Sequence, residues 1–289
     1  MINTSMITKL IDTFILPEVQ QELDKVQPIL SGRHPYNTNI KEWLAPIIDL
    51  SDFFVYPING ITEGINWWQS KEKRNVHKAV GEYEWVDTGW NTLWAEKEEV
   101  HYVSCPNSID GNYTDIPTDV PVVLDIAYIG SVPIKQIPMT PNIEKVFFSL
   151  SKSFGISNIR TGWYFTKRPD VKLHALHVDA MYYNYCATQY AEHLINTYSV
   201  DYIHNKLKNI QAKICNKHNL TPSDCIWLAT STNDKYIDYR RSNNIARLCI
   251  TEFIKETHDN QNVGLCTIGI PISASLALAG HSFHRQWMC

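Results

Sequence analysis

From about residue 50 to residue 167, short apolar runs alternate with turn-rich or helical stretches. The runs are DFFVYPI (52–58), AVGEYEWV (79–86), EVHYVSC (99–105), VPVVLDIAYI (120–129), KVFFSLS (145–151) and GWYFTK (162–167). Runs of this length, rich in β-branched and aromatic residues, predict strands, and their alternation with helical segments predicts a mostly parallel sheet with helices on both faces. Residues 1–45, an amphipathic opening that ends near the loop SGRHPYNTN, read as an N-terminal arm, and residues 46–180 as a large α/β domain. Near Ala180 the periodicity turns helical, in DAMYYNYCATQYAEHLINTY and then IHNKLKNIQAKICNKHNL. These read as two bridging helices. The strand-like pair DCIWLATS and IARLCITEFI then places a small α+β C-terminal domain within 181–289.

Composition adds exclusions. With 44% hydrophobic residues in 289, the chain can bury a large core, which rules out disorder as its main state. The formal charge of −4 and pI near 6.2 give no basic excess to attract nucleic acid or an anionic membrane. No window reaches the roughly 18 apolar residues of a membrane span, and MINTSMITKLIDTFILPEVQQEL lacks a basic region ahead of a long apolar one, so a cytoplasmic location is expected. Seven scattered cysteines without a C-x-x-C pair predict free thiols, and no H-x-x-x-H or H-E-x-x-H run suggests a metal site.

Three segments carry chemistry. In Ser149-Leu150-Ser151-Lys152-Ser153-Phe154-Gly155, a lysine follows a buried strand, at the place where open α/β sheets bind ligands. A desolvated lysine has a lowered pKa and can form an imine with an aldehyde. The neighbouring hydroxyls, with Arg160 eight residues on, suit a phosphate. In VVLDIAYIG, Asp125 sits in an apolar strand, where a carboxylate needs a cation or donor; a protonated pyridine nitrogen is one such partner, and Tyr128 would then meet a ring hydroxyl. In Asn59-Gly60-Ile61-Thr62-Glu63-Gly64, a strand passes into a helix whose free N–H groups suit a phosphate, although the same pattern also serves as an ordinary helix cap.

In this order the segments resemble the class I/II aminotransferases, fold-type-I enzymes that use pyridoxal 5′-phosphate (PLP), across about residues 45–255. The chain resembles a compact member. The resemblance implies a seven-stranded-type sheet, Lys152 as the Schiff-base lysine, Asp125 at the pyridine nitrogen and Tyr128 at the ring oxygen. It implies Ile61, Thr62, Ser149, Ser151 and Arg160 around the phosphate. Tyr83 matches the aromatic that stacks on the ring, with Trp85 as the alternative. Cys105-Pro106-Asn107-Ser108-Ile109-Asp110-Gly111 resembles the family's N-P-x-N-P-T-G loop, but Ser108 stands where the ring-binding asparagine is expected, leaving Asn107 or Ser108 for that role.

Arg247, interrupting the apolar IARLCI, matches the late arginine that holds the substrate carboxylate, with Arg240 or Arg241 as alternatives. A homodimer is implied, with Tyr36 reaching the neighbouring site. The implied reaction is amino-group transfer between an amino acid and a 2-oxo acid. Another PLP reaction (decarboxylation, elimination or oxidation) is the runner-up, and a non-catalytic binding protein on a degenerate PLP fold is the reading from a different class.

Overall fold

The computed structural model describes residues 6–29, 39–86, 96–242 and 244–266. Six strands form the large sheet: β1 (Phe54–Ile58), β2 (Arg74–Lys78), β3 (Glu96–Ser104), β4 (Val122–Asp125), β5 (Ile143–Ser149) and β6 (Gly162–Thr166). Their order is β1-β6-β5-β4-β3-β2. β2 to β5 pair in parallel, while β6 runs against both β5 and β1. The resemblance implied a seven-stranded type; the described residues hold six strands.

Both faces are covered, and this is why the strands read as continuous apolar runs. Along β4, β5 and β6, alternate residues enter two different cores. Val122, Leu124, Val146, Phe148, Trp163 and Phe165 join the larger, and Val123, Phe147 and Tyr164 join the smaller. Helix α3 (Ile61–Gln69) covers the second face through Ile61, Ile65 and Trp68. Helices α1 (Pro17–Leu23) and α2 (Ile40–Leu44) contribute to the first core. Beyond β6, the short helix α4 (Val171–Leu173) widens into a π-helical turn, His174–Asp179. Two longer helices follow, α5 (Tyr185–Thr197) and α6 (Tyr202–His218).

A second sheet of four strands, β7 (Thr221–Pro222), β8 (Leu228–Ser231), β9 (Arg240–Ser242) and β10 (Ile245–Cys249), is antiparallel in the order β7-β8-β10-β9. Helix α7 (Thr251–Cys266) follows it. The N-terminal segment threads between the sheets: the N–H of Cys249 donates to the carbonyl of Thr8, and Thr13 Oγ1 donates to the carbonyl of Ser151.

One strand expectation fails. AVGEYEWV forms turns around Gly81, whose φ of +86° suits a turn and not a strand. The strand lies just before it, as β2, whose only fully buried residue is Val76. A polar edge strand of this kind has no apolar alternation to betray it.

Candidate active site

The carboxyl ends of β1, β3, β4 and β5 and the start of β6 lie at one edge of the large sheet, as the pairings Ile58–Gly162, Ser149–Gly162 and Ser104–Asp125 require. Ligands in open α/β folds bind at this edge. A cavity of about 340 Å³ opens there, and the predicted residues Ile61, Thr62, Tyr83, Ser108, Asp125, Tyr128, Ser149, Ser151, Lys152, Arg160 and Arg247 all line it.

At one end, α3 begins on Gly60 (φ +84°) with no side chain capping it. A Cβ on Gly60 would lie 2.5 Å from the Arg160 guanidinium, so only glycine lets the arginine cross the helix start. Arg160 Nη2 donates to the carbonyl of Asn59 at 2.9 Å. Helix N–H groups, an arginine fork and the hydroxyls of Thr62, Ser149 and Ser151 together make a cradle for a phosphate.

Deeper in, the register of β3 and β4 sets Tyr102 opposite Val123, so its ring lies on the same face as Asp125. The Tyr102 hydroxyl donates to Asp125 Oδ2, and the N–H of Ala127 donates to Oδ1 at 2.7 Å. Burial nevertheless pushes the Asp125 carboxyl up to about 7, against both hydrogen bonds and with help from the nearby Glu82 charge. An ionised Asp125 therefore needs a cation, which a pyridinium N–H would supply.

That carboxyl also sets a stability prediction. An acid whose folded pKa is raised leaves stability untouched below its unfolded pKa, near 4. Stability is then lost as pH rises toward about 7. Asn cannot ionise, and the Tyr102 hydroxyl can turn to accept from its amide. Without cofactor, Asp125→Asn should match the native protein at about pH 4 and exceed it at about pH 8, by at most about 4 kcal/mol. Thermal melts at the two pH values check this; an equal difference at both would refute the assignment of a buried, ionising Asp125.

Lys152 lies in the turn after β5, its Nζ donating to the carbonyl of Ile11 at 2.8 Å. Burial lowers its pKa. Arg247, on β10, is 4% exposed and has no ion-pair partner among the described residues. Its Nη1 donates to the carbonyl of Ser108 at 2.6 Å and its Nη2 to the carbonyl of Lys9 at 2.9 Å, while Nε has no partner. A buried guanidinium served by carbonyls and, at 3.4 Å, the Tyr128 hydroxyl, with no carboxylate on it among the described residues, suits a carboxylate ligand.

The alternatives differ in where they lie. Tyr83 lines the cavity, whereas Trp85 is 52% exposed and donates to Asn66. Ser108 lines it too. Asn107 does not, because its Oδ1 accepts the N–H groups of Ile109 and Asp110 and its amide donates to Asn112, all within the turn. Arg240 pairs with Asp234 at 2.6 Å, whereas Arg241 faces the cavity beside Arg247. Tyr36 lies outside the described residues. Sequence reasoning missed Leu10, Ile11, Ser104 and Ser157 in the wall, and Glu82 and Tyr102 behind it. For Ile11 and Glu82 the sequence carries no signal.

No family model matches the chain, and no curated protein does. Solved structures do. An aminotransferase from Staphylococcus aureus superposes with a TM-score of 0.58 at 12% identity, over 89% of this chain and 92% of that one. Histidinol-phosphate aminotransferase from Sinorhizobium meliloti, in complex with PLP, gives 0.54 at 14%, over 87% and 91%. L-threonine-O-3-phosphate decarboxylase from Porphyromonas gingivalis gives 0.57 at 12%, over 89% and 99%.

Proposed function

From the fold that this chain shares with the fold-type-I PLP enzymes, we propose that it is a PLP-dependent enzyme acting on an amino acid, and that the reaction is transamination to a 2-oxo acid. The observation that carries the reading is the meeting of a desolvated lysine and a buried, unpaired arginine in one cavity, Lys152 and Arg247. An amino acid offers each its counterpart: an α-carboxylate for the guanidinium, and a Cα–H for an amine able to accept a proton.

PLP bound here would supply an aldehyde for an amine to condense with and a pyridinium ring to take up the electron pair left at Cα. Thr62, Ser149, Ser151 and Arg160 would hold its phosphate, Asp125 its ring nitrogen, Tyr128 its ring oxygen and Tyr83 its ring face. Arg247 grips the α-carboxylate with two parallel N–H groups and so fixes the direction of the Cα–H bond. Lys152 Nζ, its pKa lowered by burial, takes that proton as general base and can return it one atom away. The N-terminal segment, through Leu10 and Ile11, forms part of the cavity wall.

The same grip serves decarboxylation or elimination, and the structural neighbours include a decarboxylase and a carbon–sulfur lyase. The test is the half-reaction. Mixing the PLP-loaded protein with single amino acids should convert the cofactor to its amine form, and a 2-oxo acid should restore it. Carbon dioxide or a cleaved side chain in place of the amine form would establish the alternative.

The working unit in this reading is a homodimer. Leu10 and Val80, beside the cavity mouth, are 76% and 82% exposed, as suits apolar side chains at a subunit boundary. Light scattering should return twice the chain mass; a fully active monomer would overturn this.

A further inference from the structure

Glu82 lies behind the cavity wall, is 4% exposed, and has no cationic partner among the described residues. Its Oε1 accepts two hydrogen bonds, from the N–H of Tyr83 at 2.8 Å and from Ser104 Oγ at 2.9 Å. The single proton of Ser104 is thereby committed to Oε1. Ser104 therefore offers only lone pairs to Ser108 Oγ, 3.4 Å away. The proton of Ser108 is drawn in turn toward Ser104. Two serines at the cavity wall thus face it with acceptors, although serine in isolation serves equally as donor or acceptor.

The ligand group that meets this wall follows from the shape of PLP. Its ring nitrogen and aldehyde carbon lie para to one another, its phosphate arm leaves from one side, and its hydroxyl from the other. With the nitrogen at Asp125, the aldehyde carbon at Lys152 and the phosphate at the start of α3, as the resemblance implies, the hydroxyl would meet Ser108 and Tyr128. Arg247 Nη1 links these two, reaching the carbonyl of Ser108 and, at 3.4 Å, the hydroxyl of Tyr128.

Resting on the PLP reading, we infer that Glu82 is a positioning residue: acting through Ser104, it turns the Ser108 wall into a hydrogen-bond acceptor and holds the ring hydroxyl of the cofactor in its protonated form. An asparagine amide in place of Ser108 would donate and favour the ionised oxygen, so Ser108 and Glu82 together reverse the polarity of this contact.

The experiment uses pyridoxine 5′-phosphate, which has the ring, hydroxyl and phosphate but no aldehyde, so Lys152 cannot react with it. Its ultraviolet spectrum reports ionisation of the ring hydroxyl. The charged and titratable groups around the cavity are Tyr83, Asp125, Tyr128, Lys152, Arg160, Arg241 and Arg247 in its wall, with Tyr102 and Glu82 behind it, and Ser104→Ala leaves all of them in place. Releasing Ser108 to donate should lower the ionisation midpoint of the bound hydroxyl by about one pH unit, the worth of one hydrogen bond. Ser104→Thr keeps the hydroxyl and should restore the native midpoint.

Glu82→Gln and Glu82→Ala both remove the charge, but only alanine removes the acceptor, so the alanine variant should show the lower midpoint of the two. Equal midpoints in the native protein and Ser104→Ala, with the probe bound in both, would overturn the role of Glu82 and leave the PLP reading standing. Failure of the native protein to bind pyridoxine 5′-phosphate would instead overturn the PLP reading itself.

Discussion

Lys152→Ala should lower turnover at least about 10,000-fold and abolish trapping of the cofactor by borohydride, while the protein still binds PLP without a covalent link. The size follows from two losses at one atom: the amine that forms the imine, and the general base, worth up to about four orders of magnitude by itself. Binding should survive because the phosphate cradle at α3 and Arg160 does not involve Lys152. The fold should survive too. The Lys152 side chain makes one hydrogen bond, to the carbonyl of Ile11, and the bond from Trp227 Nε1 in this turn goes to the backbone carbonyl of Lys152, which alanine retains. Borohydride reduction and peptide mass analysis of the native protein should find the cofactor on Lys152. Label on another lysine, or undiminished turnover in the alanine variant, would sink the assignment.

How much of this site the sequence discloses depends on the kind of residue. Asp125 in VVLD and Arg247 in IARLC are legible because each puts a charge in a run that will be buried, which is costly without a partner. Lys152 and Ser149 are legible because a strand ends between them and the strand end is where ligands bind. Tyr102 and Ser104 are not, because nothing in EVHYVSC distinguishes an aromatic that packs on Trp68 from one that also donates to a carboxylate. Their roles arise from the register of β3 against β4, which is set by the whole sheet. Asn107 and Ser108 show the same limit. Both are small polar residues in one turn, and only the turn geometry shows that Asn107 spends its amide on neighbouring backbone. The strand β2 was invisible because an edge strand with polar faces has no period to read, and the brighter apolar content of AVGEYEWV lies in turns.

Arg247→Lys should lower kcat/KM for the best amino acid about 30- to 100-fold, with the cofactor spectrum unchanged. Lysine keeps the charge but presents a point donor in place of two parallel N–H groups, and loss of one charge-assisted hydrogen bond is worth about 2–3 kcal/mol. The loss should fall on both constants. Weaker binding raises KM, and a carboxylate free to pivot no longer fixes Cα–H toward Lys152, so kcat falls as well. A structural arginine would behave differently: its replacement would show in the melting temperature while kinetics of the folded fraction held. The surroundings favour the first outcome, since Arg247 meets no carboxylate among the described residues and leaves Nε without a partner. Arg241 supplies the control, because it lines the same cavity but donates only to the carbonyl of Gly81, at 3.4 Å. If Arg241→Lys reproduced the kinetic loss and Arg247→Lys did not, the α-carboxylate would belong to Arg241, and Arg247 would serve to tie Ser108 and the N-terminal segment together through their carbonyls.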